Sequence, residues 1–414
     1  MNKQNKSYCR YAFDSVTVTN TGHMQLCCYA EWTGHLEKEK AKLKDINSID
    51  DWFDGKYLTN TRKSMLENKK LPECAGCYRR EKQFGQSPRT WANDKYFKDN
   101  LSFTESSIKR VDLKFGNKCN LKCKMCFPYA SSELWKEWKE LGWNTKEKDP
   151  NNDTTWRYYD GYFEEDYAWP KDKTNLDKIK EAVLQSKVIH ITGGEPTLNP
   201  EFFDLLKYCI EKDVAKDITL EVTTNATKIH PRYFELVKQF KKVSQVISID
   251  GIGKTYEYVR YPANYGSVYK NILEYSKFFK TLGNDSILKF NFVLQYWNIH
   301  DAVNVIQTLT PLAVNDTESP VMIEHLEYPK FMAWSVLPSS YIKQIVKHVI
   351  RAEKECDDPL MKWGLIEFMR QLKTYKAKDC TAEKKQLRSF MHQQDTHRGI
   401  KLGDYIPNLV QFLE

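Results

Sequence analysis

Residues 110–128 read RVDLKFGNKCNLKCKMCFP. The first six alternate, with Val111, Leu113 and Phe115 set against Asp112 and Lys114, the period of a β-strand with one apolar face. Three cysteines follow at 119, 123 and 126, with no fourth nearby. A structural zinc site takes four protein ligands and a disulfide uses thiols in pairs. Three thiols on one loop therefore suit an iron–sulfur cube, held by one thiolate per iron with one iron left open. A zinc ion completed by a distant residue is the alternative.

Outward from this stretch the strand pattern repeats. KVIHIT (187–192), DITLEVTTN (217–225), VSQVISID (243–250), ILKFNFVLQ (287–295) and VMIEHLEY (321–328) alternate with amphipathic segments such as PEFFDLLKYCIEK (200–212). Strand then helix, repeated about six times, predicts βα units and a parallel sheet. One face of these strands is apolar. The other carries His190 and Thr192, Glu221, Thr223 and Asn225, Ser248 and Asp250, and Asn291 and Gln295. A parallel sheet buried on both faces reads apolar throughout, so the polar face predicts a curved, partly open barrel with a polar ligand in its lumen. Residues 1–105, rich in cysteine, aromatics and turn signals, form a first domain with short strand candidates in SVTVTN and HMQLCC. Residues 106–330 form the barrel, and 331–414 a helical extension covering its open edge.

The 414 residues are 41% hydrophobic and 29% charged, those of a soluble protein with two or three cores. No window approaches the ~20 apolar residues of a membrane span, and MNKQNKSYCRYAFDSV lacks a signal stretch. A cytoplasmic location is expected, and there the eleven cysteines point to metal or redox chemistry rather than structural disulfides. The net charge of +8 comes from lysines scattered among acids. Beyond a patch for an acidic electron carrier, it carries no nucleic-acid signature.

KVIHITGGEPTLNP (187–200) places Gly193 and Gly194 at a strand end, where glycine lets a ligand approach the backbone. Pro196 holds Glu195 extended. CxxxCxxC after one strand and GGEP after the next resembles the radical S-adenosylmethionine (radical SAM) enzymes, whose fold is α/β, a partial (β/α)6 barrel. The resemblance implies that Cys119, Cys123 and Cys126 hold a [4Fe–4S] cluster whose open iron binds S-adenosylmethionine (SAM). Gly193, Gly194, Glu195 and Pro196 would then lie at its amino group. Met125 stands where an aromatic residue is common, and Phe127 is expected to serve instead. TTNAT (223–227) resembles the family's Thr-Asn-Gly stretch, placing Asn225 at the cofactor with Ala226 in place of glycine. SIDG (248–251) and YEYVRYP (256–262) resemble the subgroup with twitch or SPASM domains, which implies that Ser248 and Arg260 bind the cofactor carboxylate. A guanidinium suits that partner. Gln295 and Asn298 are similar to a polar pair of the same subgroup. The matching motifs span about 107–300.

Cys9, Gly22, Cys27, Cys74 and Cys77 resemble the GxxxxC and CxxC elements of a twitch- or SPASM-like domain, here ahead of the barrel. They imply an auxiliary [4Fe–4S] cluster, although four thiols in two pairs also suit zinc. Cys28 is an alternative to Cys27, which the glycine spacing favours. Cys209 reads as core, and Cys356 and Cys380 lack partners by spacing. The aromatic insertion NTKEKDPNNDTTWRYYDGYFEEDYAWPKDK (144–173) predicts a lid or a packing surface. His325 and Glu327 are expected on one face of the last strand.

The resemblance implies a flavodoxin- or ferredoxin-like electron donor, a 5′-deoxyadenosyl radical and abstraction of a substrate hydrogen. With four auxiliary ligands the expected outcome is a two-electron oxidation in which Asp250 or Glu327 takes the proton. The expected substrate is a small molecule or a peptide, oxidised or cross-linked in the reaction. The rival of another class is a non-catalytic zinc-binding interaction protein.

Overall fold

Eight strands carry the fold, and residue alternation decides what each covers. The computed structural model describes residues 5–30, 41–97, 104–143, 166–283, 285–316, 320–326 and 328–413. The strands are β1 (Ser15–Val18), β2 (Met24–Gln25), β3 (Arg110–Lys114), β4 (Val188–Thr192), β5 (Thr219–Thr224), β6 (Lys242–Ser248), β7 (Ile287–Leu294) and β8 (Val321–His325). Each of the six apolar runs contains one strand. The fold is α/β and dominated by parallel pairing. The chain divides into two compact units, and β5 contributes residues to both.

The first unit comprises residues 1–117, 166–222 and 235–241. Its strands run β2-β1-β3-β4-β5, with β1, β3, β4 and β5 parallel and β2 antiparallel to β1. Val16 lies opposite Val111, so the N-terminal segment extends the same sheet at the edge of β3. In β4 Ile189 and Ile191 are fully buried, while His190 and Thr192 are half-buried. Phe115 stacks on Trp169 at 5.8 Å and meets Phe202 edge-on at 6.5 Å. Phe202 belongs to the helix Pro200–Glu211, which identifies the apolar face as the helix-covered one. That helix also buries Cys209, as its stripe position requires.

The second unit comprises residues 118–165, 223–234 and 242–414. Strands β6, β7 and β8 are parallel, with Ile247 opposite Phe290 and Phe292 opposite Ile323. Five helices matter here: α1 (Ser132–Glu140), α2 (Tyr265–Leu282), α3 (Ser339–Lys354), α4 (Pro359–Leu372) and α5 (Thr381–Arg398). The Ser131 side chain caps α1 by accepting from the Leu134 N–H, and Asn264 caps α2 by accepting from Ser267. Gly399, at φ 65°, ends α5 in the left-handed conformation that closes many helices. Beyond residue 338 the described chain is helical with short connections, as expected. No helix among the described residues is long and apolar enough to cross a membrane.

Candidate functional site

In the second unit the loop bearing Cys119, Cys123 and Cys126 has little regular structure and is held by its neighbours. The N–H groups of Lys122 and Lys124 donate to the carbonyls of Tyr261 and Val259 at 2.6 and 2.8 Å. These flank Arg260, so one pair of backbone bonds sets the loop against the arginine. Ser132 bonds both the N–H and the carbonyl of Cys119 at 3.2 Å, and Ser131 donates to the Leu121 carbonyl at 2.6 Å. Asn225 donates to Asn120 at 3.1 Å and lies 3.9 Å from the Cys119 sulfur. Ala226 beside it has φ 52°, a left-handed conformation that glycine adopts without strain. Phe127 stacks on Tyr129 at 5.6 Å and on Tyr328 at 6.5 Å, alongside the cysteines.

Cys123 is buried, and Cys119 and Cys126 are half-buried. Burial, then the neighbouring Cys123 sulfur, pushes the Cys126 thiol up to about 12, with Arg260 acting in the opposite sense. Arg260 likewise opposes the upward push of burial on Cys123. Thiols that repel as thiolates and face a guanidinium are suited to a cationic centre.

Arg260 and Asp250 form a buried pair, Nε to Oδ2 at 2.7 Å, and the Val293 N–H donates to Asp250 Oδ1 at 2.8 Å. Asp250 is fully buried with both oxygens engaged. The carboxylate read from the sequence as a base is thus engaged by Arg260 and by the Val293 N–H. Ser248 ends β6, half-buried. Gln295 is fully buried; its Nε2 donates to the Val293 carbonyl at 3.3 Å, and its Oε1 has no hydrogen-bond partner among the described residues. Asn298 donates to the carbonyls of Val293 and Asp250 at 2.8 and 3.2 Å, a structural staple. His325 Nδ1 accepts from Trp334 at 2.9 Å under a stacked ring, so it is a hydrogen-bonded pair. Glu327 lies outside the described residues, as does most of the aromatic insertion, Trp156, Tyr158, Tyr159, Tyr162 and Phe163 included.

In the first unit the loop after β4 is shaped by its own side chains. Gly193 has φ 121°, and a Cβ there would lie 2.9 Å from the Phe115 nitrogen and 3.2 Å from the Gly116 oxygen. Gly193→Ala is therefore expected to cost about 1–3 kcal/mol of stability, read by thermal melting. Glu195 is buried and accepts from the Thr197 N–H and hydroxyl at 3.2 and 2.7 Å, while Pro196 starts the turn it caps. Glu195 thus braces the loop.

On the polar face His190 Nδ1 and Asp112 Oδ2 are 2.8 Å apart, and Arg110 bonds Glu221 at 2.6 Å. Burial alone would raise the Asp112 carboxyl; His190, Arg110 and Lys114 outweigh it and hold it below the usual range. A lowered carboxyl contributes stability above its unfolded pKa of about 4 and loses it as pH falls through the folded value. Asp112→Asn should therefore be less stable than wild type by ~2 kcal/mol at neutral pH, with the gap closing below pH ~4. Denaturant unfolding across pH checks this.

Cys9, Cys27, Cys74 and Cys77 line one small cavity, together with Tyr11 and Arg89. All eleven cysteines are free thiols. Burial first, and then the neighbouring Cys9, Cys74 and Cys77 sulfurs, raise the Cys27 thiol. Burial and then Cys77 push Cys74 up to about 12. Cys28 is not part of that lining; burial, then Asp112 and Cys27, raise its thiol. Gly22 has φ 75° and packs against Trp169, at 3.1 Å from its would-be Cβ, fixing the turn between β1 and β2 ahead of Cys27. Among the described residues no group of three or more Cys, His, Asp or Glu side chains closes around a single-ion position. Four thiols lining one small cavity fit a group that takes thiolate ligands. Arg89 was not anticipated; it is held by Glu81 at 2.8 Å and by the Tyr8 carbonyl at 2.8 Å.

Residues 113–309 match the family model of the Radical SAM superfamily. The chain is similar to the radical SAM cyclopropyl synthase TigE of Paramaledivibacter caminithermalis, 24% identical over 197 residues that cover 46% of this chain and 36% of that protein. Among solved structures, Streptococcus suis SuiB bound to SAM aligns with TM-score 0.36 at 15% identity, over 78% of this chain and 57% of SuiB. anSMEcpe with bound AdoMet aligns with TM-score 0.34 at 17% identity, over 60% of each chain. The chain thus spans about a third of the length of TigE and under two thirds of these two structures.

Proposed function

We propose, from the place of residues 113–309 in the Radical SAM superfamily, that this radical SAM enzyme oxidises its substrate by two electrons and passes one of them to a second iron–sulfur site. Cys119, Cys123 and Cys126 would hold the SAM-binding [4Fe–4S] cluster, and Cys9, Cys27, Cys74 and Cys77 the auxiliary one. When bound and reduced by a flavodoxin- or ferredoxin-like donor, that cluster would supply the one-electron chemistry that cleaves SAM and starts hydrogen abstraction from the substrate. The protein residues bind and orient. Arg260, held by Asp250, would bind the cofactor carboxylate with Ser248, and Asn225 and Gln295 would be further cofactor-binding residues. The proton would go to Glu327.

The observation that carries the oxidation reading is the cavity lined by four thiols. Four ligands occupy every iron of a cube, leaving it free to accept an electron and closed to a reactant. A peptide cross-linking or side-chain-oxidising enzyme is the second reading, favoured by the aromatic insertion at 144–173, and would use the same machinery. Iron, sulfide and 5′-deoxyadenosine analysis of anaerobically purified protein given SAM and dithionite tests the proposal. About eight irons with 5′-deoxyadenosine support it; zinc without SAM cleavage leaves the interaction protein. Cys27→Ala is expected to lose about four irons and Cys28→Ala none, and the reverse result exchanges their roles.

A further inference from the structure

The last long helix, α5, reaches the cysteine loop through three residues of its final turns. Asp395 Oδ1 lies 2.5 Å from Lys124 Nζ, and Gln394 Oε1 accepts from the same amine at 3.2 Å. Lys124 is 1% exposed although it stands between two of the cysteines, and its amine lies over the Tyr258 ring at 4.1 Å. Tyr258 in turn donates to Asp395 Oδ2 at 2.7 Å. Arg398 takes the loop by its backbone, Nη2 to the Lys122 carbonyl at 2.7 Å, and pairs with buried Glu137 of α1 at 2.8 and 2.7 Å. Residues 122 and 124, the neighbours of Cys123, are thus fastened to α5 on one side. On the other side they are fastened to the carbonyls flanking Arg260.

A lone surface ion pair would contribute little. This one is buried, shared among Lys124, Asp395, Gln394 and Tyr258, and joined to a second grip through Arg398. Groups that hold a metal ligand in place from behind tune how tightly the metal is kept. We infer that Asp395 and Arg398 of α5 are positioning residues for the iron-binding cysteines, so that retention of iron at Cys119, Cys123 and Cys126 depends on the C-terminal helix. The inference rests on the proposed role of those cysteines.

The experiment removes iron from the reconstituted full-length protein with the chelator bathophenanthroline and follows its kinetics. The phase belonging to the loop is the one missing from the Cys119/Cys123/Cys126→Ala protein. In Asp395→Asn and in Arg398→Lys that phase is expected to accelerate by about 10- to 100-fold, with the four-thiol phase and the far-ultraviolet spectrum unchanged. The electron paramagnetic resonance signal of the reduced protein is expected to change in its response to SAM. The charge exchange Lys124→Asp with Asp395→Lys keeps a buried pair and should recover part of the loss seen in Asp395→Asn. Unchanged release from the loop overturns the inference, and so does equal acceleration of both phases, which would reduce α5 to general packing. A wild-type protein with no iron at the loop is a different failure, that of the functional reading, and is seen before any grip variant is made.

Discussion

Alanine at Cys119, Cys123 and Cys126 together is expected to abolish 5′-deoxyadenosine formation and, on the proposed two-cluster reading, to lower iron from about eight to about four per chain. The loss is selective because the other four thiols line a cavity built within the first unit, from residues 9 to 89. The loop keeps its shape without its sulfurs: its bonds to Ser131, Ser132, Val259 and Tyr261 involve backbone atoms of the loop. Anaerobic iron and sulfide analysis beside chromatography of the SAM cleavage products reads both effects at once. Undiminished iron in the triple variant would place the metal elsewhere.

Arg260→Met is expected to lose SAM binding and about 3–5 kcal/mol of stability, the range found when one partner of a buried ion pair is removed. Asp250 would then sit fully buried with the Val293 N–H as its remaining partner. Burial already raises the Asp250 carboxyl, and Arg260 is the main influence opposing it. Without the guanidinium the folded pKa rises further above the unfolded one. The folded variant then binds the extra proton, so its deficit is greatest at high pH and shrinks as pH falls. Asp250→Asn combined with Arg260→Met should recover most of the stability and none of the SAM affinity. Thermal melts across pH and equilibrium dialysis with SAM separate the two. A single variant that keeps SAM affinity would remove Arg260 from the cofactor site.

The strands from 110 onward were readable because alternation is local: each apolar face repeats at every second residue, and Ile189 and Ile191 are buried as their period requires. The cysteine loop and the glycine turn were readable for the same reason. What escaped depends on contacts between distant segments. Asp250 lies on the strand parity of the polar face, and nothing in SIDG says that the arginine ten residues later closes on it. Parallel pairing of β1 with β3 joins Val16 to Val111, across a gap that no local pattern spans. The grip of α5 did leave a trace. Gln394 and Arg398 continue the stripe of Leu387 and Met391, and polar residues on an otherwise buried helix face mark a buried partner.

Asp395 follows Lys124 by 271 residues, and Arg398 follows Lys122 by 276. At about 5–20 residues per second, a ribosome needs on the order of tens of seconds between making the cysteines and making the helix that fastens them. Through that interval the three thiols belong to an unfinished loop on a growing chain. The fastened form of the loop arises only after residue 398 has been synthesised, so iron delivered to it in that form is delivered after translation has passed this point.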